Sequence, residues 1–186
     1  MEVSRPTKAA ALKTLHLLRH AKAVEGHVDE ADHARSLAPR GIADAKAVAA
    51  YLAGSELSVD RVFCSTARRT RETYDYTAPA LRGASIAYRD RLYLSHTDDL
   101  LTFIRELPDG ADNVMLIGHN PTFHVVASKL AKAAAPGQAK GLAALKEKFP
   151  TGALCSIQFN VADWRHVKPG TGTLAVFVRP RDLTSD

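Results

Sequence analysis

The sequence predicts a single α/β domain: a three-layer α/β/α sandwich with a mostly parallel central sheet and an antiparallel edge. Two observations predict it. Short apolar runs alternate with helical patterns over most of the chain, and two β-rich runs near its end are separated by Pro169-Gly170. A length of 186 residues and a hydrophobic content of 46% suit one domain with a sizeable core. We expect residues 1–12 to be a flexible N-terminal extension and residues 13–182 to form the domain.

The individual elements follow from periodicity and from helix-ending residues. Strands are predicted at 13–18, 59–64, 85–89 and 113–117, and helices at 41–52, 66–81, 98–107 and 121–132. Helix 41–52 is alanine-rich and ends at Gly54, and helix 98–107 ends at Pro108. We expect a loop or lid at 133–141, and an antiparallel edge pair formed by 153–161 and 173–178.

Histidines and arginines follow the predicted strands. Arg19-His20 comes after the first strand, and His119-Asn120 after the strand at 113–117, where open α/β sheets place their ligand sites. Together with Arg69 these residues suit phosphoryl transfer, because a neutral imidazole can attack phosphorus and guanidinium groups bind its oxygens in bidentate fashion. The pattern indicates a covalent reaction that needs no metal.

Plainer interpretations of the same residues exist. Arg19-His20 suits a surface turn, Asn120-Pro121 suits a helix start, and Arg68, Arg69 and Arg71 suit a solvated helix face.

A zinc site using His16 and His20 would need a helix. On a strand the two residues lie roughly 13 Å apart, so His16 is interpreted as a packed or hydrogen-bonded strand residue. Cys64 and Cys155 lack metal-ligand spacing, and we expect buried, inert thiols, no metal and no cofactor.

Three motifs resemble those of the histidine phosphatase superfamily, the phosphoglycerate mutase-like group. Residues 18–21 (LRHA) resemble its "RHG" nucleophile motif, residues 65–73 (STARRTRET) its "SPxxRxxxT" segment, and residues 117–121 (IGHNP) its "GHNP" motif. The register of the second motif selects Arg69 rather than Arg68. The resemblance implies that His20 is the nucleophile and that Arg19, Arg69 and His119 bind the phosphoryl oxygens. It makes Asn120 a neighbour of the pocket, and Lys22, Arg35 and Ser65 candidates for its rim.

Residues 32–41 (DHARSLAPRG) extend the resemblance to the small bacterial phosphohistidine phosphatases of the SixA type. The likeness spans about 13–130 and has two departures. Ala21 replaces the usual glycine, and the "RLxE" position that supplies a general acid in mutases has no carboxylate in residues 91–94 (RLYL). Asp98, Asp99 or Glu72 remain candidate acids.

The missing acid bears on the substrate. An imidazole leaving group can accept its own proton, whereas an alkoxide needs a donor. The resemblance therefore implies a phosphohistidine-bearing protein as the substrate. The alternatives are an aryl or other activated small phosphate ester, or a phosphate-sensing or phosphoprotein-binding module without turnover.

Charge and composition narrow the partners. The net charge is +5, but the basic residues are dispersed, aromatic residues make up only 6%, and the lysine-dotted stretch 129–148 suits a solvated helix face, so we expect no nucleic-acid partner. The amino terminus lacks the apolar core of a signal peptide, and no run is long enough to span a membrane. We expect a cytoplasmic protein.

Overall fold

A seven-stranded mixed sheet forms the centre of the protein. The computed structural model describes residues 12–26 and 31–184. The strands are β1 (Leu12–Arg19), β2 (Arg61–Cys64), β3 (Ser85–Tyr88), β4 (Asn113–Gly118), β5 (Ala131–Ala134), β6 (Leu154–Asn160) and β7 (Gly172–Val178). The helices are α1 (Pro39–Gly54), α2 (Arg68–Thr77), α3 (Thr97–Arg105), α4 (Thr122–Leu130), α5 (Ala139–Glu147) and α6 (Pro180–Leu183).

The strands lie in the order β3-β2-β4-β1-β6-β7-β5. β1 pairs in parallel with β4 and antiparallel with β6, so it occupies the middle of the sheet. Parallel pairing also joins β2 to β3, β2 to β4, and β5 to β7, whereas β6 and β7 are antiparallel. The mostly parallel sheet is thus confirmed.

Helices cover both faces of this sheet. On one face, Val48 and Leu52 of α1 pack with Val62, Met115 and Ile117 of the strands. On the other face α3, α4 and α5 contribute to a larger core, which contains Leu100, Phe123 and Leu145. Burial of apolar side chains on both faces explains why residues 114–117 of β4 form a continuous apolar run. The three-layer architecture is confirmed.

The segment at 129–150 differs from the prediction. Helix α4 ends at Leu130, and residues 131–134 form strand β5 at the sheet edge rather than a helix end and a lid. A helical face is present only at 139–147, within α5. The alanines and the lysine of β5 do not favour a strand by themselves. The segment is a strand because it pairs with β7 in the folded protein.

Two further differences concern element limits. The β6–β7 pair lies inside the sheet, because β5 covers its outer side. The predicted helix at 66–81 divides into α2 and a 3₁₀ turn at Ala78–Leu81, which contains Pro79. Leu12 already belongs to β1, and the rest of the expected N-terminal extension lies outside the described residues. No helix in the described ranges combines the length and the apolar character that a membrane crossing requires.

Candidate active site

A cavity of about 300 Å³ opens where β1 and β4 end. We call it the arginine–histidine cavity, and its wall contains Arg19, His20, Lys22, Ala23, Arg35, Arg69, Leu94, His119, Asn120 and Thr151. The structure therefore brings seven of the eight predicted site residues to one place, from four separate parts of the chain. Within the described ranges, no aspartate or glutamate contributes to this wall.

His20 has one ring nitrogen fixed by the backbone. Its Nδ1 lies 2.7 Å from the carbonyl oxygen of Ala21, and because a carbonyl only accepts, Nδ1 carries the proton and Nε2 keeps its lone pair. Burial, opposed by this hydrogen bond and reinforced by the charges of Arg69, Arg19 and Arg35, lowers the pKa of His20 to about 4. The ring is therefore neutral at physiological pH.

Ala21 fits its position without strain. The residue is completely buried, and its N–H donates to Thr73 Oγ1 at 3.0 Å. Among the described residues only Arg82 and Leu94 combine a side chain with a positive φ, so Ala21 has an ordinary backbone conformation. The replacement of glycine therefore leaves the loop after β1 intact.

His119 stands beside His20, with 5.1 Å between the ring centroids. Its Nε2 lies 2.8 Å from Ser65 Oγ, and its Nδ1 lies 3.4 Å from Arg69 Nη2. Burial, together with the charges of His20 and Arg69, lowers the pKa of His119 to about 3. Ser65 is fully buried behind His119, so the prediction that it lies at the rim of the cavity is wrong.

Arg19 and Asn120 share one anchor that the sequence did not indicate. Arg19 Nη1 and Asn120 Nδ2 each donate to the carbonyl oxygen of Phe149 at 2.9 Å. The amide of Asn120 is thereby fixed at the cavity, and it makes no side-chain cap to α4.

The turn that follows Phe149 is tied to β1. The N–H of Gly152 lies within hydrogen-bonding distance of the carbonyl oxygens of Arg19 and His20, at 3.2 and 3.0 Å. Gly152 has a φ of +73°, and a Cβ there would lie 2.8 Å from Pro180 Cγ. Only glycine suits this turn, and residues 149–152 could have been suspected from their Pro-Thr-Gly sequence alone.

Asp32 holds Arg69 from the opposite side. Its backbone oxygen and its Oδ2 accept from Arg69 Nη1 and Nη2 at 2.6 and 2.9 Å, and Oδ2 also accepts from the hydroxyl of Tyr93 at 2.9 Å. Arg35 Nε lies 3.0 Å from Oδ1 as an ion pair. Partial burial would raise the pKa of Asp32, but hydrogen bonds from Tyr93 and Arg69, with the charges of Arg69 and Arg35, outweigh it and lower that pKa.

Tyr93 lies beside His119 and Arg69, whereas Arg68 lies outside the cavity. Tyr93 directly precedes Leu94, which stands at the position where mutases carry an acid. The Tyr93 ring packs against that of His119, with 5.5 Å between the centroids, and the Arg69 guanidinium lies 5.9 Å from the Tyr93 ring centroid. Arg68 points away from the cavity and pairs with Glu72 at 2.7 Å. Arg69 is buried in the cavity wall, whereas its neighbour is exposed.

The three candidate acids lie elsewhere. Glu72 accepts the N–H of Leu37 at 2.6 Å in addition to its bond with Arg68. Asp99 closes the first turn of α3 through the N–H of His96, and Asp98 is exposed on the same helix. None of the three lines the arginine–histidine cavity.

The cavity wall contains polar atoms that lack a protein partner. In the described part of the chain, the Nε–H groups of Arg19 and Arg69 are buried and have no hydrogen-bond acceptor. A buried donor without a partner is costly. Four cationic side chains, two of which have such a donor, and two neutral imidazoles form a site suited to an oxyanion.

Metal-binding groups are a separate question. In the described ranges, no three side chains of His, Cys, Asp or Glu lie together as a metal would require. Both ring nitrogens of His16 are hydrogen-bonded, to Ser156 Oγ at 2.8 Å and to the carbonyl oxygen of Ser58 at 3.1 Å, which confirms its interpretation as a strand residue. Cys64 and Cys155 are free and buried.

Comparisons with known proteins identify the class. The model of the histidine phosphatase superfamily (branch 1) matches residues 15–93. Uncharacterized proteins of Mycobacterium tuberculosis and Mycobacterium leprae are 34% and 32% identical over 168 residues, which is 88% of this chain and 100% of each relative. The chain belongs to the histidine phosphatase superfamily.

Solved structures place it near one subgroup. A candidate phosphohistidine phosphatase SixA from Nakamurella multipartitia has a TM-score of 0.77 and 31% identity, over 92% of this chain and 98% of that one. A second, from Agrobacterium tumefaciens, has a TM-score of 0.74 and 30% identity, over 90% of this chain and 98% of that one. The protein is thus a SixA-type member of the superfamily and a phosphatase.

Proposed function

We propose that the protein removes the phosphoryl group from a phosphohistidine of another protein, through a phosphorylated His20. The observation that carries the proposal is the cavity itself, where the open Nε2 of His20 faces cationic side chains and no carboxylic acid of the described residues. The SixA-type relatives support the same substrate class.

In the first step, His20 Nε2 attacks phosphorus and the P–N bond to the substrate imidazole breaks. The bonding electron pair returns to that imidazole, which takes up a proton from water, so no protein acid is required. In the second step, water attacks the phosphorus of phospho-His20, the P–Nε2 bond breaks, and inorganic phosphate leaves. The carbonyl oxygen of Ala21 accepts from Nδ1–H throughout and supports the positive charge of the phosphorylated ring.

Arg19, Arg69 and His119 would bind the phosphoryl oxygens. The oxygen of Ser65 accepts the N–H of Ala67 at 3.5 Å, and we assign the Ser65 hydroxyl proton to the bond with His119 Nε2. This tautomer leaves a proton on His119 Nδ1, beside Arg69 Nη2 at 3.4 Å. Both donors would then converge on one oxygen and stabilise its developing charge. Asn120, Lys22 and Arg35 complete the wall, and Ser65 acts by orienting His119.

A protein substrate suits the mouth of the cavity. Leu94 is 72% exposed, has a φ of +52° and forms part of the wall. An exposed leucine in a left-handed conformation is costly for the protein alone. Its place at the entrance is suited to contact with the surface that surrounds a phosphorylated histidine.

A substrate panel tests the proposal. A phosphohistidine peptide and 4-nitrophenyl phosphate should be hydrolysed about a hundredfold faster than glycerol phosphate, because only their leaving groups depart without a donor. EDTA should not change these rates, because arginines supply the charge neutralisation. Efficient hydrolysis of glycerol phosphate would reveal a proton donor and would support a small-molecule phosphatase. Hydrolysis of 4-nitrophenyl phosphate but not of the phosphohistidine peptide would exclude phosphohistidine as the substrate.

A further inference from the structure

A second cavity of about 340 Å³ adjoins the arginine–histidine cavity and shares Lys22 and Thr151 with it. We call it the basic groove, because its wall contains five cationic side chains, Lys22, Arg40, Lys148, Arg179 and Arg181, and only two carboxylates, Asp44 and Glu147. The first turn of α1, the end of α5 and the start of α6 meet at this groove. The two cavities thus adjoin each other at Lys22 and Thr151.

The basic groove carries a net positive charge, because its five cationic side chains outnumber the carboxylates of Asp44 and Glu147 in its wall and of Asp182 beside it. Arg179 forms two hydrogen bonds with Asp182, at 2.8 and 2.7 Å. Within the described ranges, the other four cationic side chains form no ion pair. Asp44 interacts with the charges of Arg40 and Lys22, and Glu147 with that of Arg179, so the excess of cations over carboxylates is what produces a positive potential that favours an anionic ligand.

The groove is carried by rigid backbone. The carbonyl oxygen of Lys22 accepts the N–H of Ala38 at 2.9 Å, and a Cβ on Gly41 would lie 2.0 Å from that same oxygen. Helix α1 therefore begins in direct contact with the loop that follows His20. On the other side, Pro180 of α6 is buried against the turn at Gly152, which is itself bonded to His20. The positions of Arg40 and Arg181 are thus fixed relative to the nucleophile.

We propose that the basic groove binds acidic side chains that flank the phosphorylated histidine of the protein substrate, an inference that rests on the proposed function. A cavity of about 300 Å³ holds a phosphorylated imidazole, so a ligand that also fills the groove must extend past that residue. The cations next to the phosphoryl site then select for carboxylates on the same protein surface. Such contacts at the rim speed encounter and lower KM, and they weaken as salt rises.

Two phosphohistidine peptides of matched length test this proposal, one with two glutamates on each side of the histidine and one with glutamines. The wild-type protein should have a kcat/KM about fivefold higher for the acidic peptide, mainly through KM, and the preference should shrink at high salt. In the double variant Arg40→Glu, Arg181→Glu the ratio of the two kcat/KM values should fall to about one or below. Glutamate suits the first turn of α1, so this variant should fold.

The double variant Lys140→Glu, Lys146→Glu is the matched control, because it makes the same charge change on α5 outside the groove. It should retain the preference for the acidic peptide. Equal wild-type kcat/KM values for the two peptides would overturn the inference about the groove. A preference for the acidic peptide that survives Arg40→Glu, Arg181→Glu would also overturn it, and both results would leave the proposed function standing. Hydrolysis of neither peptide by a protein that is active on 4-nitrophenyl phosphate would overturn the proposed function, and the groove inference with it.

Discussion

His16, within β1, and His20, just past the end of β1, are both buried, and one difference between them decides their roles. Burial lowers the pKa of both His16 and His20 to about 4. His16, in mid-strand, has both ring nitrogens hydrogen-bonded, whereas His20, just past the strand, has one bonded nitrogen and one that is open beside Arg19 and Arg69. A lowered pKa therefore reports burial, and an open nitrogen in a cationic cavity is what marks a nucleophile.

Replacement of each histidine gives the largest expected contrast. His20→Ala should reduce kcat for 4-nitrophenyl phosphate by a thousandfold or more, because the attacking group is lost. His16→Gln should keep kcat within about twofold but lower the free energy of unfolding by about 1–3 kcal/mol, because buried hydrogen bonds are lost. Steady-state kinetics and urea unfolding measure the two effects. A folded His16→Gln protein as inactive as His20→Ala would contradict the comparison.

The arginines around His20 provide the next largest effect. Arg69→Lys should lower kcat about a hundredfold, because an ammonium cannot replace a planar group that binds two oxygens. Arg68→Lys is the adjacent control and should change kcat little, since Arg68 is exposed and pairs with Glu72. Kinetics of both variants at one pH measure the difference. Reversed effects would mean that the arginine register is wrong by one residue.

Asp32 should contribute less, through Arg69 and not through the substrate. Asp32→Asn removes the charge that holds Arg69 and Arg35, and we expect kcat/KM for 4-nitrophenyl phosphate to fall about tenfold; half of the Asp32 side chain is exposed, which limits the effect. Asp98→Asn, on the exposed side of α3, is the matched control and should be silent. If only Asp98→Asn lowered the activity, a proton donor on α3 would replace this account.

The pH dependence should separate activity from stability. His20 is neutral above about pH 4, so the acidic limb of kcat/KM that it causes should lie near pH 4 and not near the ordinary value of 6.5. His16, His20 and His119 all have a folded-state pKa below 6.5, so the unfolded chain binds their protons more readily.

The stability that these neutral histidines contribute is therefore fully present above about pH 6.5, and it is lost as the pH falls towards 4. His16→Gln should reduce this loss, which urea unfolding at several pH values measures. An acidic limb of kcat/KM near 6.5 that is assigned to His20 would contradict the buried, neutral nucleophile.

The sequence predicted the sheet centre and the strand-end residues well, because both depend on local signals. Apolar runs such as 113–117 define buried strands, and the polar residues that follow them lie at the carboxyl edge of the sheet. Strand β5 could not be predicted in this way, since Ala131–Ala134 is a strand only through its partner β7.

The parts of the site that escaped prediction act through backbone or through distant pairing. Phe149 anchors Arg19 and Asn120 with a carbonyl oxygen, a group that every residue has. Ser65 was placed at the rim because its motif lies near the arginine, but its hydroxyl turns inward to His119. Asp32 belongs to the motif at 32–41, but its role could not be inferred from the sequence. The structure shows that its side chain accepts hydrogen bonds from Arg69 and Tyr93.

Direct detection of the covalent intermediate tests the central claim that His20 is the nucleophile. The protein, mixed with excess 4-nitrophenyl phosphate and quenched in alkali, should carry one phosphoryl group that acid removes, as a phosphoramidate does. Peptide mapping by mass spectrometry should locate it on His20, with His16 on the same peptide region unmodified and no label in His20→Ala. A phosphoryl group on His16, on His119 or on a serine of the active wild-type protein would contradict this account.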